Sequence, residues 1–137
     1  MRILLIDDSQ TFLKLATRFL VESLRDDVTI EQATDCETAL AVTQCPDIIL
    51  LDLIMPKLSG LDAIPLFRAR LPQARIIVLS LSDPLVYRTA ALDAGADAFI
   101  SKTSIGSSLL PAIHKLVASP VEILQEAIYY PQVWVVH

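Results

Sequence analysis

The sequence predicts an α/β domain in which a doubly wound, five-stranded parallel sheet carries helices on both faces. Short apolar runs alternate with longer amphipathic segments from residue 1 to about residue 118. The clearest run, Ile48–Leu51, has four aliphatic residues in succession, which is typical of a strand buried on both faces. Because helical segments separate these runs, the crossovers should be right-handed and the strands parallel.

The predicted strands are short apolar runs, most of which end at a polar residue. They span Arg2–Ile6, Val28–Ala33, Ile48–Leu51, Arg75–Leu79 and Ala98–Ile100. The second run is the weakest of the five. The third delivers the chain directly to a carboxylate, Asp52, which should therefore lie at the carboxyl end of a buried strand. In open parallel sheets, that edge is where ligands bind.

Three helices are predicted in the first half of the chain. Ser9 should cap the first, whose apolar residues recur at helical spacing as far as Leu24. The second is short and follows Asp35. The third spans Leu61–Leu71 and contains Pro65, which is unfavourable unless it lies in the first turn or kinks the helix.

Two more helices follow in the second half. Asp83–Pro84 should begin the fourth, with an N-cap followed by proline at the first helical position, and Gly95 should end it. The fifth should begin at Ser107 or Ser108, which places Pro111 near its first turn. The predicted domain covers residues 1–118.

Composition excludes several classes of protein. A chain of 137 residues with 53% hydrophobic and 20% charged residues should form one packed domain. Its net charge of −5 does not suit a nucleic-acid-binding surface. No apolar run approaches the roughly 20 residues of a membrane span, and the acidic start MRILLIDD is not a secretory signal. With Cys36 and Cys45 as isolated thiols, we expect a cytoplasmic protein.

Polar side chains follow four of the five predicted strands. They are the pair Asp7 and Asp8, then Asp52, Ser80 and Lys102. Parallel strands present their carboxyl ends at one edge of the sheet, so these side chains should converge. Each one alone would most simply be a cap or a surface residue. Together they form a set with complementary charges, which predicts a functional site.

Electrostatics indicates what such a site would do. Three neighbouring carboxylates repel one another unless a cation is present, and oxygen ligands in a hydrated cleft suit Mg²⁺, or Mn²⁺ in its place. A carboxylate beside such a cation and an ammonium group is placed to attack phosphorus. Lys102 would neutralise charge on the phosphoryl oxygens, and Ser80 would donate a hydrogen bond to the attached group.

The chain resembles the receiver domain of two-component response regulators over residues 1 to about 118. The resemblance is carried by the acidic pair Asp7-Asp8, the run D-x-x-M-P-x-x-x-G from Asp52 to Gly60, and by Ser80 and Lys102. It implies a flavodoxin-like sheet of strand order 2-1-3-4-5. The segment GADAFISKTS is similar to receivers that carry a helix-turn-helix DNA-binding domain.

The resemblance also implies roles for single residues. Asp52 would be the phosphoacceptor, and Asp8, Asp52 and the backbone carbonyl of Ile54 would bind the metal directly. Asp7 would act mainly through water. Phe99 would be an aromatic switch whose ring turns inward when Ser80 closes on the phosphoryl group. Its simpler alternative is an ordinary core residue.

Two residues depart from the family pattern. Leu81 stands after Ser80 where a small residue is usual, and its bulk should hinder access to the phosphoryl group and slow its hydrolysis. Thr103 follows Lys102 where proline is common, so a cis peptide bond is not expected there and Lys102 should be placed differently. The complete acidic set argues against a receiver that cannot be phosphorylated.

The expected partner is a sensor histidine kinase or a phosphotransfer protein, which would dock near the first helix, where Phe12 and Leu13 are candidate exposed contacts. Output should use the face formed by the fourth helix, fifth strand and fifth helix. The domain would be an enzyme only in catalysing its own phosphorylation and dephosphorylation. A homodimer is possible, and the alternative function is a single-domain or phosphorylation-independent receiver that works as a protein-interaction module.

Residues 119–137 lie beyond the predicted domain and form a linker or a C-terminal extension. They are too few for a helix-turn-helix module, so we expect no direct nucleic-acid binding by these 137 residues. Val121 to Ile128 would allow a short amphipathic helix, and the segment from Tyr129 to Val136 is strand-like. Its one tryptophan, Trp134, would allow the segment to fold back on the domain or pair with another copy.

Three other functions fit the sequence less well. A dehalogenase-type phosphatase would want a second aspartate at position 54, which is Ile54. A cobalamin-binding domain of the same fold would need a histidine that is absent from the strand loops. A dinucleotide-binding domain would want glycines in the first turn, where the acidic Asp7-Asp8 would repel phosphate instead.

Overall fold

The architecture is an alternating α/β fold in a computed structural model that describes residues 1–41, 44–82 and 84–118. The strands are β1 (Arg2–Ile6), β2 (Thr29–Ala33), β3 (Ile48–Asp52), β4 (Arg75–Ser80) and β5 (Ala98–Ser101). The helices are α1 (Gln10–Leu24), α2 (Cys36–Leu40), α3 (Gly60–Arg70), α4 (Pro84–Ala94) and α5 (Ile105–Val117). Short 3₁₀ helices cover Arg25–Asp27 and Lys102–Ser104.

The sheet has the predicted strand order, β2-β1-β3-β4-β5, and every pairing is parallel. β3 is the central strand, and all five of its residues are buried. The register aligns Ile6 of β1 with Leu51 of β3, so Asp7 and Asp52 follow at the same level. Ser80 of β4 pairs with Ser101 of β5, directly before Lys102. The polar strand ends therefore meet at one edge, as the sequence predicts.

Two hydrophobic layers enclose the sheet, and alternate residues of each central strand enter one or the other. Ile49 and Leu51 face the layer formed with α2, α3 and α4. Ile48 and Leu50 face the layer formed with α1 and α5. This explains the unbroken aliphatic run of β3, since both its faces are covered. Edge strand β2 is mostly exposed, which accounts for its weaker apolar pattern.

Short polar side chains set the starts of three helices. Ser9 accepts a hydrogen bond from the Phe12 amide at 3.2 Å, and Asp35 accepts one from the Thr38 amide at 2.7 Å. Ser59 caps α3 in the same way. At the other end of α4, Gly95 has a φ of +122°, a conformation that favours glycine. The predicted caps at Ser9 and Gly95 are confirmed, whereas Asp83 lies outside the described residues.

The predicted start of α5 is wrong. The helix begins at Ile105, not at Ser107 or Ser108, because the 3₁₀ turn Lys102–Ser104 leads directly into it. Pro111 consequently lies in the middle of the 13-residue helix. Pro65 likewise lies inside α3, beyond its first turn. Both prolines are on exposed faces, where water can bond to the carbonyl that lacks its helical partner.

Within the described residues, none of the helices has the length and apolar character that crossing a membrane requires. The predictions for residues 119–137, including the short helix and the strand-like segment with Trp134, lie outside the described residues.

Candidate functional site

A cleft of about 260 Å³ opens at the carboxyl ends of β1, β3, β4 and β5. Its walls include seven of the eight residues that the sequence singled out. These are Asp7, Asp8, Asp52, Ile54, Ser80, Leu81 and Lys102. They come from separate segments of the chain, and the parallel sheet brings them together.

Three carboxylates form the acidic wall of this cleft. Asp7, Asp8 and Asp52 each have a carboxylate oxygen within 4.8 Å of the others. Asp7 and Asp52 are buried, with 1% and 7% exposure, whereas Asp8 is exposed. Carboxylate oxygens at this spacing can bind a divalent cation. Because Asp8 is exposed to solvent, such a cation would keep part of its hydration shell. The donor set therefore suits the kind of metal site that the sequence predicts.

Lys102 is the positive group that faces these acids. Its Nζ donates to Asp7 Oδ2 at 2.5 Å and lies 3.4 Å from Asp52 Oδ1. The side chain is only 10% exposed, so the three charges interact with little screening by water. The peptide bond to Thr103 is trans, as expected, and Lys102 still reaches the site.

Asp7 is held by contacts at both carboxylate oxygens. Oδ1 accepts a hydrogen bond from the Ser9 amide at 2.8 Å, and Oδ2 accepts the one from Lys102. The turn between β1 and α1 thus fixes one acid of the pair and leaves Asp8 beside it, exposed. The two neighbouring aspartates have different surroundings.

Asp52 lies in an environment that disfavours its charged form. Burial and the neighbouring Asp7 carboxylate raise the pKa of Asp52 to about 6, although Lys102 acts in the opposite direction. Asp8 adds to the rise. Negative charge at Asp52 is therefore incompletely compensated by protein groups alone, and an additional cation would stabilise it.

This raised pKa predicts a pH-dependent stability in buffer containing EDTA. The folded protein holds the Asp52 proton more tightly than the unfolded chain, whose ordinary value is 3.8. The stabilisation is complete below that value and is lost as pH rises through about 6. We expect the free energy of unfolding to fall by about 2 kcal/mol over this range relative to Asp52→Asn. Urea denaturation at a series of pH values measures it, and identical slopes for the two proteins would contradict the prediction.

Ser80 lies at the end of β4, and its side chain is buried at 1% exposure. Its Oγ accepts a hydrogen bond from the Ser82 amide at 3.0 Å, which holds the hydroxyl against the loop that follows. In this position Ser80 lines the cleft beside Leu81. Leu81 lines it too, but its side chain is 75% exposed.

Phe99 is the one predicted site residue that does not line the cleft. It pairs with Val78 across β4 and β5, and its ring is buried at 7% exposure in the layer with α3 and α4. The inward orientation expected after switching is therefore the one that this structure contains. Ile54, by contrast, is 56% exposed at the mouth of the cleft.

One of the two candidate docking contacts is wrong. Leu13 is buried at 3% exposure because it lies on the face of α1 that packs on the sheet. Phe12 is half-buried, and the exposed large apolar residues of α1 are Leu15, at 63%, and Val21, at 45%. The sequence correctly predicts that Leu13 belongs to the apolar stripe of α1, and for that reason Leu13 is not available as an exposed docking contact.

Two supporting features of the site were missed from the sequence. A Cβ atom at Gly60 would lie 2.1 Å from the backbone oxygen of Asp52, so the start of α3 packs directly against the end of β3. The ring of Phe12 lies beneath Lys102, with Nζ 4.2 Å from its centroid. The sequence offered one signal for the role of Gly60, because this glycine ends the motif that begins at Asp52. No sequence pattern pointed to the contact between Phe12 and Lys102.

Comparison with known protein sequences agrees with this geometry. The model of the response regulator receiver domain matches residues 3–114. The nitrate/nitrite response regulator NarL of Escherichia coli K12 is 33% identical over 128 residues, covering 92% of this chain and 58% of the relative. DegU of Brevibacillus brevis, a transcriptional regulatory protein, is 33% identical over 85% of this chain and 50% of its own. The chain thus spans about half the length of these curated relatives.

Solved structures show the same fold. A response regulator from Burkholderia pseudomallei with a phosphorylated aspartic acid and a calcium ion is 27% identical, with a TM-score of 0.73 over 99% of this chain and 76% of that one. TrrA of Thermotoga maritima, in complex with Mg²⁺ and BeF, is 29% identical with a TM-score of 0.75, covering 85% and 98%. With the acidic cleft, these matches establish that the chain belongs to the family of response regulator receiver domains, the phosphorylatable domains of two-component signalling.

Proposed function

We propose that Asp52 accepts a phosphoryl group from a phosphohistidine and that the modified domain signals through its α4–β5–α5 face. The observation that carries this proposal is the position of Asp52, which lies beside the acidic pair Asp7-Asp8 and 3.4 Å from Lys102 Nζ. A buried carboxylate with this combination of neighbours is suited to receive a phosphoryl group. The domain is not a conventional enzyme, because its own side chain is the acceptor.

The acidic wall would hold Mg²⁺, or Mn²⁺ in its place. Asp8 and Asp52 would bind it directly, together with the backbone carbonyl of Ile54. Asp7 would act through water, since both of its oxygens already accept hydrogen bonds from Ser9 and Lys102. The cation supplies positive charge to the carboxylate and phosphoryl oxygens, which otherwise repel each other.

The chain's own residues would perform the remaining steps. A carboxylate oxygen of Asp52 forms a bond to phosphorus as the bond from phosphorus to the histidine nitrogen breaks, and the imidazole leaves with the electron pair. Lys102 turns from Asp7 towards the phosphoryl oxygens and neutralises their charge. The Ser80 hydroxyl donates a hydrogen bond to one of these oxygens once the group is attached.

Phosphorylation would select the inward position of Phe99 that this structure contains. Ser80 and Phe99 lie on adjacent strands two positions apart in register, since Phe99 pairs with Val78 and Ser80 pairs with Ser101. A movement of Ser80 towards the phosphoryl group would leave more room beside β5, where the ring already lies, and would thereby favour this inward position. The switch therefore links Asp52 to the β5 edge of the sheet.

We also propose that the partners are a sensor histidine kinase or a phosphotransfer protein in the cytoplasm, and that the domain is the receiver part of a transcriptional regulator. Support comes from DegU of Brevibacillus brevis, which is named a transcriptional regulatory protein and of which this chain spans half. A homodimer is possible, and a single-domain or phosphorylation-independent receiver that works as an interaction module is the alternative function. Light scattering with and without residues 120–137 separates a monomer from a dimer held by that segment.

Incubation with acetyl phosphate and Mg²⁺, followed by intact-mass measurement, tests the proposal. The wild type should gain one phosphoryl group, and EDTA should prevent the gain. Asp52→Asn should gain none, whereas Asp93→Asn, a change at an exposed carboxylate on α4, should behave as wild type. Absence of any gain with acetyl phosphate or a phosphorylated kinase would favour the interaction module instead.

Leu81 is expected to prolong the life of the aspartyl phosphate. Its side chain lines the cleft and should hinder the approach of water to the phosphoryl group. Leu81→Ala should therefore shorten the half-life by roughly three-fold or more, as expected for a loss of about 0.7 kcal/mol of barrier. Intact mass followed over time after removal of acetyl phosphate measures it. Leu85→Ala, on the exposed face of α4, is the matched control, and an unchanged lifetime in Leu81→Ala would contradict the role.

A further inference from the structure

The ammonium group of Lys102 has three neighbours, which lie in the turn after β1, at the end of β3 and in α1. Nζ lies 2.5 Å from Asp7 Oδ2, 3.4 Å from Asp52 Oδ1 and 4.2 Å from the centroid of the Phe12 ring. We propose that Phe12 is a positioning residue for phosphorylation, whose ring face holds the Lys102 ammonium between Asp7 and Asp52. This inference rests on the proposed function and adds a residue to it.

The backbone fixes Phe12 at this place. The Phe12 amide donates to the Ser9 side chain at 3.2 Å, and the Ser9 amide donates to Asp7 at 2.8 Å. One turn of chain thus positions both the carboxylate that binds Lys102 and the ring that lies beneath it. The ring is half-buried against the hydrophobic layer of α1 and α5, so it cannot turn away freely.

The ring face gives the ammonium a favourable contact that a saturated side chain could not provide. The negative face of an aromatic ring attracts a cation within about 6 Å of its centroid, and the attraction grows when the cation is shielded from water. The Lys102 side chain is 10% exposed, so this condition holds. The ammonium has three N–H donors, so it can bond to Asp7 and later to an incoming phosphoryl oxygen while the ring face contacts another part of the same group.

This contact also has a consequence during phosphoryl transfer. Lys102 has to leave Asp7 and reach the phosphoryl oxygens, a movement across the cleft. Phe12 is not among the residues that line the cleft, so its ring leaves the path of the cation open and can stay in contact with it during this movement. Phe12 would thereby keep Lys102 close to the reacting atoms while the lysine exchanges the Asp7 carboxylate for the phosphoryl oxygens.

Substitution by leucine separates the ring's electrostatic role from its packing. Phe12→Leu should slow phosphorylation by acetyl phosphate in saturating Mg²⁺ about ten-fold, whereas Phe12→Tyr should retain most of the rate. Phe19→Leu makes the same chemical change at another half-buried position of α1 and should leave the rate as in wild type. In Lys102→Gln, Phe12→Leu should have no further effect, since the cation is gone.

Fluorinated phenylalanines at position 12 provide a graded test. One, two or three ring fluorines progressively weaken the negative face at nearly constant shape, so the logarithm of the rate should fall in proportion. Thermal unfolding of the same proteins measures the packing contribution and should not follow this series. Equal rates across the series, or an equal slowing by Phe12→Leu with and without Lys102, would overturn the proposal.

A measurement that needs no phosphorylation distinguishes failure of this inference from failure of the proposed function. A methylene next to an ammonium held over an aromatic ring has its NMR signals shifted upfield by the ring current. The Lys102 ε-methylene should show this shift in wild type and lose it in Phe12→Leu. If the shift is present but wild type takes up no phosphoryl group, the proposed function fails. If it is absent, Phe12 does not hold Lys102.

Discussion

Lys102→Gln should phosphorylate about 100-fold more slowly than wild type with acetyl phosphate and Mg²⁺. The ammonium lies 2.5 Å from Asp7 and 3.4 Å from Asp52, so it is close enough to reach a phosphoryl group on Asp52. Glutamine removes its charge but keeps much of its length. The rate is measured by intact mass at a series of times, with Lys102→Arg as the charge-conserving control.

The same substitution should affect stability in a way that depends on the metal. Without Mg²⁺, Lys102→Gln leaves the buried Asp7 carboxylate without its cation, which should lower the free energy of unfolding by about 3 kcal/mol. Added Mg²⁺ should recover most of this loss but not the rate, because the cation and Lys102 stabilise different oxygens during transfer. Recovery of the full rate by Mg²⁺ would mean that Lys102 serves only to balance charge.

Gly60→Ala should destabilise the domain by about 3 kcal/mol or more and impair phosphorylation of Asp52 at the same time. Its Cβ would lie 2.1 Å from the Asp52 backbone oxygen and 2.8 Å from Leu53 Cα, and neither backbone atom can give way cheaply. The Gly60 amide also donates to the Leu53 oxygen at 2.9 Å, which fastens α3 to the end of β3. Displacing this contact moves the backbone that carries Asp52.

Gly106→Ala is the matched control for this prediction. Gly106 lies in the first turn of α5, and no atom of the described residues lies within 4 Å of a Cβ built there, apart from its own helix backbone and chain neighbours. Alanine should stabilise the helix by about 0.5 kcal/mol. Urea denaturation measures both variants. A Gly60→Ala protein as stable as Gly106→Ala would contradict the close packing between α3 and β3.

The sequence was most informative where burial leaves few choices. Ile48–Leu51 is buried on both faces, so an unbroken aliphatic run was sufficient to predict the central strand. The start of α5 was not predictable in the same way, because Ser107 and Ser108 are good caps in isolation. The helix instead begins at Ile105, directly after the 3₁₀ turn that follows β5. This start depends on the path of the chain as it leaves β5.

The site was predictable to the extent that it depends on topology. Parallel strands place their carboxyl ends together, so Asp7, Asp52 and Lys102 could be brought into one cleft before any distance was known. The contact between Lys102 and Phe12 depends on two side-chain orientations in segments 90 residues apart, and no local pattern encodes it. The close approach of Gly60 to Asp52 also depends on tertiary packing.

The position of the phosphoryl group is the most direct test of the central claim. Wild type treated with acetyl phosphate and Mg²⁺ is reduced with borohydride, which converts an aspartyl phosphate into homoserine, and is then digested and analysed by tandem mass spectrometry. We expect homoserine at position 52, dependent on Mg²⁺ and on acetyl phosphate. Homoserine at another position, or none although the intact mass has increased by one phosphoryl group, would contradict Asp52 as the acceptor.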